Sequence, residues 1–179
     1  MGSVTADIVT ISHDRPNHAF LEGVSGTPRV ITGPGEYEVA GILIAGIATA
    51  LEPGSRPRNT AYVFRFEDLV ICHLGDLEKQ LSNDQVEEIG AIDVLMVPAG
   101  KGGALDAVQA AEVVHQLTPR IVIPMHFRKD GAGTSGFESV DGFLREMGSS
   151  TIKPENKLAV TRGSLPEDIR VVLLESRRV

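Results

Sequence analysis

Ile8-Val9-Thr10-Ile11-Ser12-His13-Asp14-Arg15-Pro16-Asn17-His18 begins apolar and β-branched and then turns abruptly polar, with a histidine at each end of the polar part. The first four residues read as a buried strand. The rest reads as a strand-to-helix loop. Asn17 is a helix-capping residue type, and His18 falls in the first turn of a short helix running to about Leu21. Two imidazoles five residues apart on such a loop can converge on one point. Imidazole is the commonest protein ligand for a borderline metal ion. Two surface histidines on a polar turn are the alternative at this stage.

Outward from this loop the first half reads as strands and hairpins. Val30-Ile31-Thr32 is a short strand, and Gly33-Pro34-Gly35 is a turn. Tyr37-Glu38-Val39 and Ile42-Leu43-Ile44 follow as strands with Gly41 bending the chain between them. Ala61–Phe66 and Leu69–His73 form a hairpin around Glu67-Asp68. The second half alternates strand and helix. Ser82 to Gln85 is a capping-box pattern opening a helix to Ile89, and Val94–Val97 is a buried strand. Ala107, Ala110, Ala111, Val114 and Leu117 make one helical face ending before Pro119. Ile121–Ile123 is a strand, Ser139–Met147 a helix, and Leu158–Val160 and Ile169–Leu174 are closing strands. The expected class is α/β, a mixed sheet covered by helices, in a single domain over residues 1–179.

A net charge of −7 argues against a nucleic-acid surface, which needs a basic patch. No apolar run is long enough for a membrane-spanning helix, and no secretory signal is visible. The lone Cys72 excludes an internal disulfide, reads as a buried inert thiol, and suggests the cytoplasm.

Three strands end alike: one at His13, the hairpin arm at His73 and Asp76, and a later one at Pro124-Met125-His126. Parallel strands bring their C-terminal ends to one rim, where open α/β sheets bind ligands. His13, His18, Asp76 and His126 can meet there, and these donors suit Zn²⁺, Mn²⁺ or Fe²⁺. The bland readings stand beside this one. His73, inside an apolar arm, reads as a satisfied core histidine, and His115 as structural. Asp76, Asp14 and Asp106 can each be a cap or a solvated charge.

Ser12-His13 through His18, His73-Leu74-Gly75-Asp76 and Pro124-Met125-His126 together resemble the metallo-β-lactamase superfamily, whose pattern is T/S-H-x-H-x-D-H, a later Gly-Asp and a final His. Gly33–Glu38 and Ile121–His126 look similar to the small bacterial Zn-dependent hydrolase branch near the ascorbate-6-phosphate lactonase group. The resemblance covers essentially the whole chain. It implies a four-layer αββα sandwich and hydrolysis through a metal-activated water. It also implies His13 as a first-site ligand, His18 and His126 as second-site ligands, and Asp76 as the bridging, catalytic carboxylate.

Two departures alter that picture. Arg15 stands where the second His belongs, and a guanidinium cannot ligate a metal. Asn17 stands where the Asp belongs and cannot take a proton at neutral pH. The first site is therefore broken, leaving His18, Asp76 and His126 for at most one ion, with Arg15 free to pair an anionic group of a small-molecule substrate. Family members also begin with extra strands ahead of the stretch matching Ala6–Val9. Their absence would leave one sheet edge uncovered and recruit a second copy, making a homo-oligomer. The leading expectation is weak or specialised hydrolysis of an ester, lactone or phosphoester. A degenerate, metal-free binding or assembly module is the competing one.

Overall fold

The structure is a computed structural model that describes residues 4–13, 15, 19–49, 59–128 and 136–175. In chain order its strands and helices are β1 (Val4–Thr5), β2 (Ile8–Ile11), β3 (Val24–Ser25), β4 (Arg29–Thr32), β5 (Gly35–Val39), β6 (Ile42–Ala48), β7 (Thr60–Arg65), β8 (Val70–His73), α1 (Asn83–Ile89), β9 (Val94–Pro98), α2 (Ala107–Leu117), β10 (Ile121–Met125), α3 (Asp141–Glu146) and β11 (Arg170–Val171).

Seven strands form the main sheet in the order β11-β10-β9-β8-β7-β6-β5. β5 to β8 are antiparallel neighbours, whereas β8, β9, β10 and β11 run parallel. The antiparallel part follows from tight turns. At Glu67-Asp68 the Phe66 N–H donates to the Leu69 carbonyl at 2.9 Å, and this sets the register Tyr62↔His73. The parallel part follows from helical crossovers, and both longer helices start on capping boxes. Ser82 with Gln85 opens α1, and Asp106 with Gln109 opens α2, so Asp106 is a cap.

Strand alternation divides the core. Ala61, Val63, Cys72, Leu95, Val97 and Val122 face one side, where α1, α2 and α3 bury Ile89, Val114 and Phe143 against them. The opposite face is covered in two pieces. Tyr62 and Ile44 pack on Ile31 and Ile8 of β4 and β2, which pair in parallel as a separate two-stranded sheet. Val94, Ile121 and Ile123 pack on Val172, Leu158 and Val160. The described residues thus supply helices on one outer face only. The further helical layer that the resemblance implies over the smaller sheet is not among them.

The Tyr62 hydroxyl ties this smaller sheet to the main one. It sits 3.1 Å from the Ile11 carbonyl and 3.2 Å from that of Gly33, and donates its single proton among them.

Four local expectations are corrected. Leu158–Val160 forms no strand, and Ile169–Leu174 contributes only Arg170–Val171 to the sheet. Their apolar residues cover the sheet face instead of extending its ladder, and alternation alone does not separate these two uses. The helix expected from Ser139 begins at Asp141, and the described part of the helix expected near His18 is a 3₁₀ turn at Leu21–Gly23.

Candidate functional site

The parallel strands β8, β9 and β10 end at one rim, and the end of β2 is carried to it by a hydrogen bond from the Thr60 N–H to the Ser12 carbonyl, 2.8 Å. Three expected side chains come together there. Asp76 is 7% exposed and lies between two imidazoles. His13 Nε2 is 3.3 Å from its Oδ2, and His126 Nε2 is 3.4 Å from its Oδ1. The Ser12 hydroxyl, 3.0 Å from His13 Nδ1, orients the first ring. Phe137 meets the second ring edge-on, with centroids 4.7 Å apart.

Backbone geometry aims these groups. Gly75 has φ +62°, and a Cβ there would fall 2.3 Å from Asn59 Oδ1 and 2.6 Å from Ser12 Cβ. Only glycine lets the Asp76 loop lie this close to the first one. His126 itself adopts φ +55°, a left-handed conformation that is uncommon for a residue with a Cβ and is typical of functional sites. Gly100 makes room for it, since a Cβ there would sit 2.5 Å from the His126 carbonyl oxygen.

Asp76 Oδ2 is buried, and no hydrogen bond reaches it among the described residues. His13 is in ion-pair range but off hydrogen-bond geometry. A buried carboxylate oxygen left this way costs free energy that structure alone does not repay. His73 is held differently. Its Nδ1 accepts the Gly75 N–H at 3.1 Å, and burial lowers its pKa against the pull of Asp76, so the ring is neutral and serves the loop.

Arg15 does not enter this cluster. Its side chain is 52% exposed at the rim, 4.0 Å from Glu78. His18, Asn17 and Asp14 lie outside the described residues, and His115 is exposed in the last turn of α2.

Residues 2–126 match the family Beta-lactamase superfamily domain. The chain belongs to that family. The beta-lactamase superfamily fold extends over nearly all of it: a structure from Thermotoga maritima, assigned to the metallo-beta-lactamase superfamily, is 36% identical and superposes with a TM-score of 0.78 over 97% of this chain and 84% of its own. The UPF0173 metal-dependent hydrolase of Thermofilum pendens is 34% identical over 59% of this chain and 45% of its own length. A UPF0173 protein of Pyrococcus abyssi is 35% identical over 45% of this chain and 35% of its own. The chain thus aligns with less than half the length of these two curated relatives.

A divalent ion fits the beta-lactamase superfamily rim in kind. Donors about 2.0–2.1 Å from a tetrahedral ion stand about 3.4 Å from each other, which is the separation of each imidazole from its Asp76 oxygen. The open Oδ2 is the kind of atom a cation satisfies. The two imidazoles lie on different oxygens, however, and among the described residues no three His, Cys, Asp or Glu side chains form a complete metal-holding group.

Asn59 was not singled out from the sequence. Its Oδ1 accepts the Asp76 N–H at 2.9 Å, and its Nδ2 donates to the Leu74 carbonyl at 2.8 Å and to Thr49 Oγ1. A signal existed: counting back along the hairpin from its two-residue turn places Asn59 opposite Asp76. Phe137 carried no such signal, because the contact depends on tertiary packing.

Proposed function

We propose that the chain is a metal-dependent hydrolase holding one divalent ion, Zn²⁺ or one of the similar ions Mn²⁺ and Fe²⁺. The observation that carries this reading is the buried Asp76 carboxylate, faced on each oxygen by an imidazole and left without a hydrogen bond on Oδ2. Asp76 and His126, joined by His18, hold the ion in this proposal, with His13 beside them. Bound there, the ion would lower the pKa of water and supply hydroxide near neutral pH. The chain's own groups do the rest. Ser12 keeps His13 turned toward Asp76, and Asn59 and Gly75 keep the carboxylate at the rim. Arg15, weakly paired and half exposed, would bind an anionic group of an ester, lactone or phosphoester substrate in this proposal.

Elemental analysis of protein purified without added metal, followed by Zn²⁺ and Mn²⁺ titration, tests this. The expected result is uptake of one ion per chain, lost in Asp76→Asn. A chain that takes up neither ion is instead a binding or assembly module. Arg15, where the resemblance puts a histidine ligand, is the residue that favours that second reading.

A further inference from the structure

β10 ends at Met125, and His126 turns left-handed at φ +55° with its ring beside Asp76. A histidine side chain has two torsions. The contact at Nε2, 3.4 Å from Asp76 Oδ1, does not by itself fix the plane of the ring. A further contact comes from Phe137, whose ring centroid lies 4.7 Å from that of the imidazole with 64° between the planes. Edge-on aromatic pairs of this kind are directional as well as apolar.

Phe137 is itself held from several sides. It belongs to a short strap, residues 136–139, lying between the chain that leaves β9 and the chain that leaves β10. Phe137 forms an antiparallel bridge with Lys101, and Ser139 a parallel bridge with Arg128. The Glu138 N–H donates to the Gly100 carbonyl at 2.8 Å, and the Arg128 N–H to that of Glu138 at 2.8 Å. The Lys101–Glu138 ion pair, 3.4 Å, is exposed on both sides and adds little to these backbone bonds. Against the ring lies Gly102, with φ +70°. A Cβ there would fall 2.6, 2.8 and 3.0 Å from Cε1, Cδ1 and Cζ of Phe137. Only a bare Cα lets the ring settle on the backbone and still meet His126.

We infer that Phe137 is a positioning residue: anchored by the strap and by Gly102, it holds the His126 imidazole in the orientation that faces Asp76. This rests on the metal-dependent reading above, in which His126 is a ligand, and it adds a residue that reading does not use. A phenyl ring cannot ligate, so any effect of Phe137 on metal binding passes through His126. Losing a neighbour that orients a ligand typically costs about 10- to 100-fold in metal affinity.

The whole chain, with and without Zn²⁺, supplies the test. In the metal-free protein, three-bond couplings and nuclear Overhauser contacts of His126 should report one rotamer. They should report averaging in Phe137→Leu and in Gly102→Ala, whose new methyl displaces the phenyl ring without removing it. The same signals of His13 should stay at their parent values in both. Zn²⁺ affinity should fall at least about 10-fold in both variants, and Phe137→Tyr should keep the parent affinity and the single rotamer. The double variant should lose no more than the worse single one, because both remove the same contact. A single His126 rotamer with parent affinity in Phe137→Leu, averaging at His13 as well, or a tyrosine no better than leucine would each overturn the assignment. Averaging of His126 in variants of a parent that takes up no ion removes the metal reading and leaves the clamp. Uptake of one ion, equal in parent and variants with His126 unmoved, does the reverse.

Discussion

Two buried aspartates stand at opposite ends of the same sheet and are treated in opposite ways. Asp93, 8% exposed, is fully occupied. Its Oδ2 accepts the Val70 N–H at 2.8 Å, its Oδ1 pairs with Arg162 at 3.2 Å, and its main chain bonds Val70, Arg120 and Ile121. Asp76, equally buried, has its backbone tied by Asn59 but its carboxylate facing imidazoles, with one oxygen open. The first carboxylate brackets β8 to β9. The second keeps one oxygen without a hydrogen bond among the described residues. Burial does not distinguish them, and hydrogen-bond satisfaction does.

The sharpest way to break this contrast is Asp76→Asn. Metal affinity, measured by calorimetric titration, should fall at least about 100-fold, or about 2.7 kcal/mol. The metal-free variant should unfold in urea no earlier than the parent, because the lost charge was poorly compensated. A large loss of stability would place Asp76 with Asp93 as a structural group.

Asp93→Ala should behave in the other way, costing about 2 kcal/mol in urea unfolding through the stranded Val70 N–H, with metal uptake unchanged. Arg162→Ala, whose side chain is 66% exposed, should cost no more than about 1 kcal/mol. Equal losses from both would make the ion pair, rather than the backbone bond, the bracket.

Tyr62 gives a smaller, pH-dependent effect. Burial and the nearby Tyr37 push its pKa from 10.0 up to about 12. The unfolded chain then loses this proton near pH 10 while the folded chain keeps it to about 12. Its contribution is fully present below pH 10 and declines as pH rises toward 12, by about 1 kcal/mol at pH 11. The difference between parent and Tyr62→Phe in urea melts from pH 9 to 11 should shrink accordingly. A constant difference would mean the hydroxyl does not hold the smaller sheet as a proton donor.

The smallest expected signal is at Cys72. It is fully buried, and burial pushes its thiol to about 12, so a disulfide reagent at pH 8 should leave the native protein unlabelled and label it in urea. Labelling of the native state would show that the core beneath the rim opens.

Much of the local structure was legible in advance. The hairpin around Glu67-Asp68 and the capping box at Ser82 each depend on neighbours within a few residues, so the chain's own order declares them, while Asp106 was open between a cap and a solvated charge until the structure showed its box with Gln109. The convergence of Asp76 and His126 was also legible, because the parallel strands β8 and β10 deliver their ends to one rim, whereas His13 arrives from the separate β2–β4 sheet through the Thr60–Ser12 hydrogen bond. Leu158–Val160 was misread because an apolar segment covering a sheet and one joining it have the same pattern.

What the sequence by itself determined is the order of strands and caps and the residue types at the strand ends. Only the tertiary structure decided that Asn59 would hold the Asp76 loop, that Arg15 would turn to the rim near Glu78, and that one oxygen of Asp76 would have no hydrogen bond among the described residues. The physical reason is that turns, caps and alternation are short-range preferences. The hydrogen-bond state of a buried charge is set by groups brought beside it from distant parts of the chain.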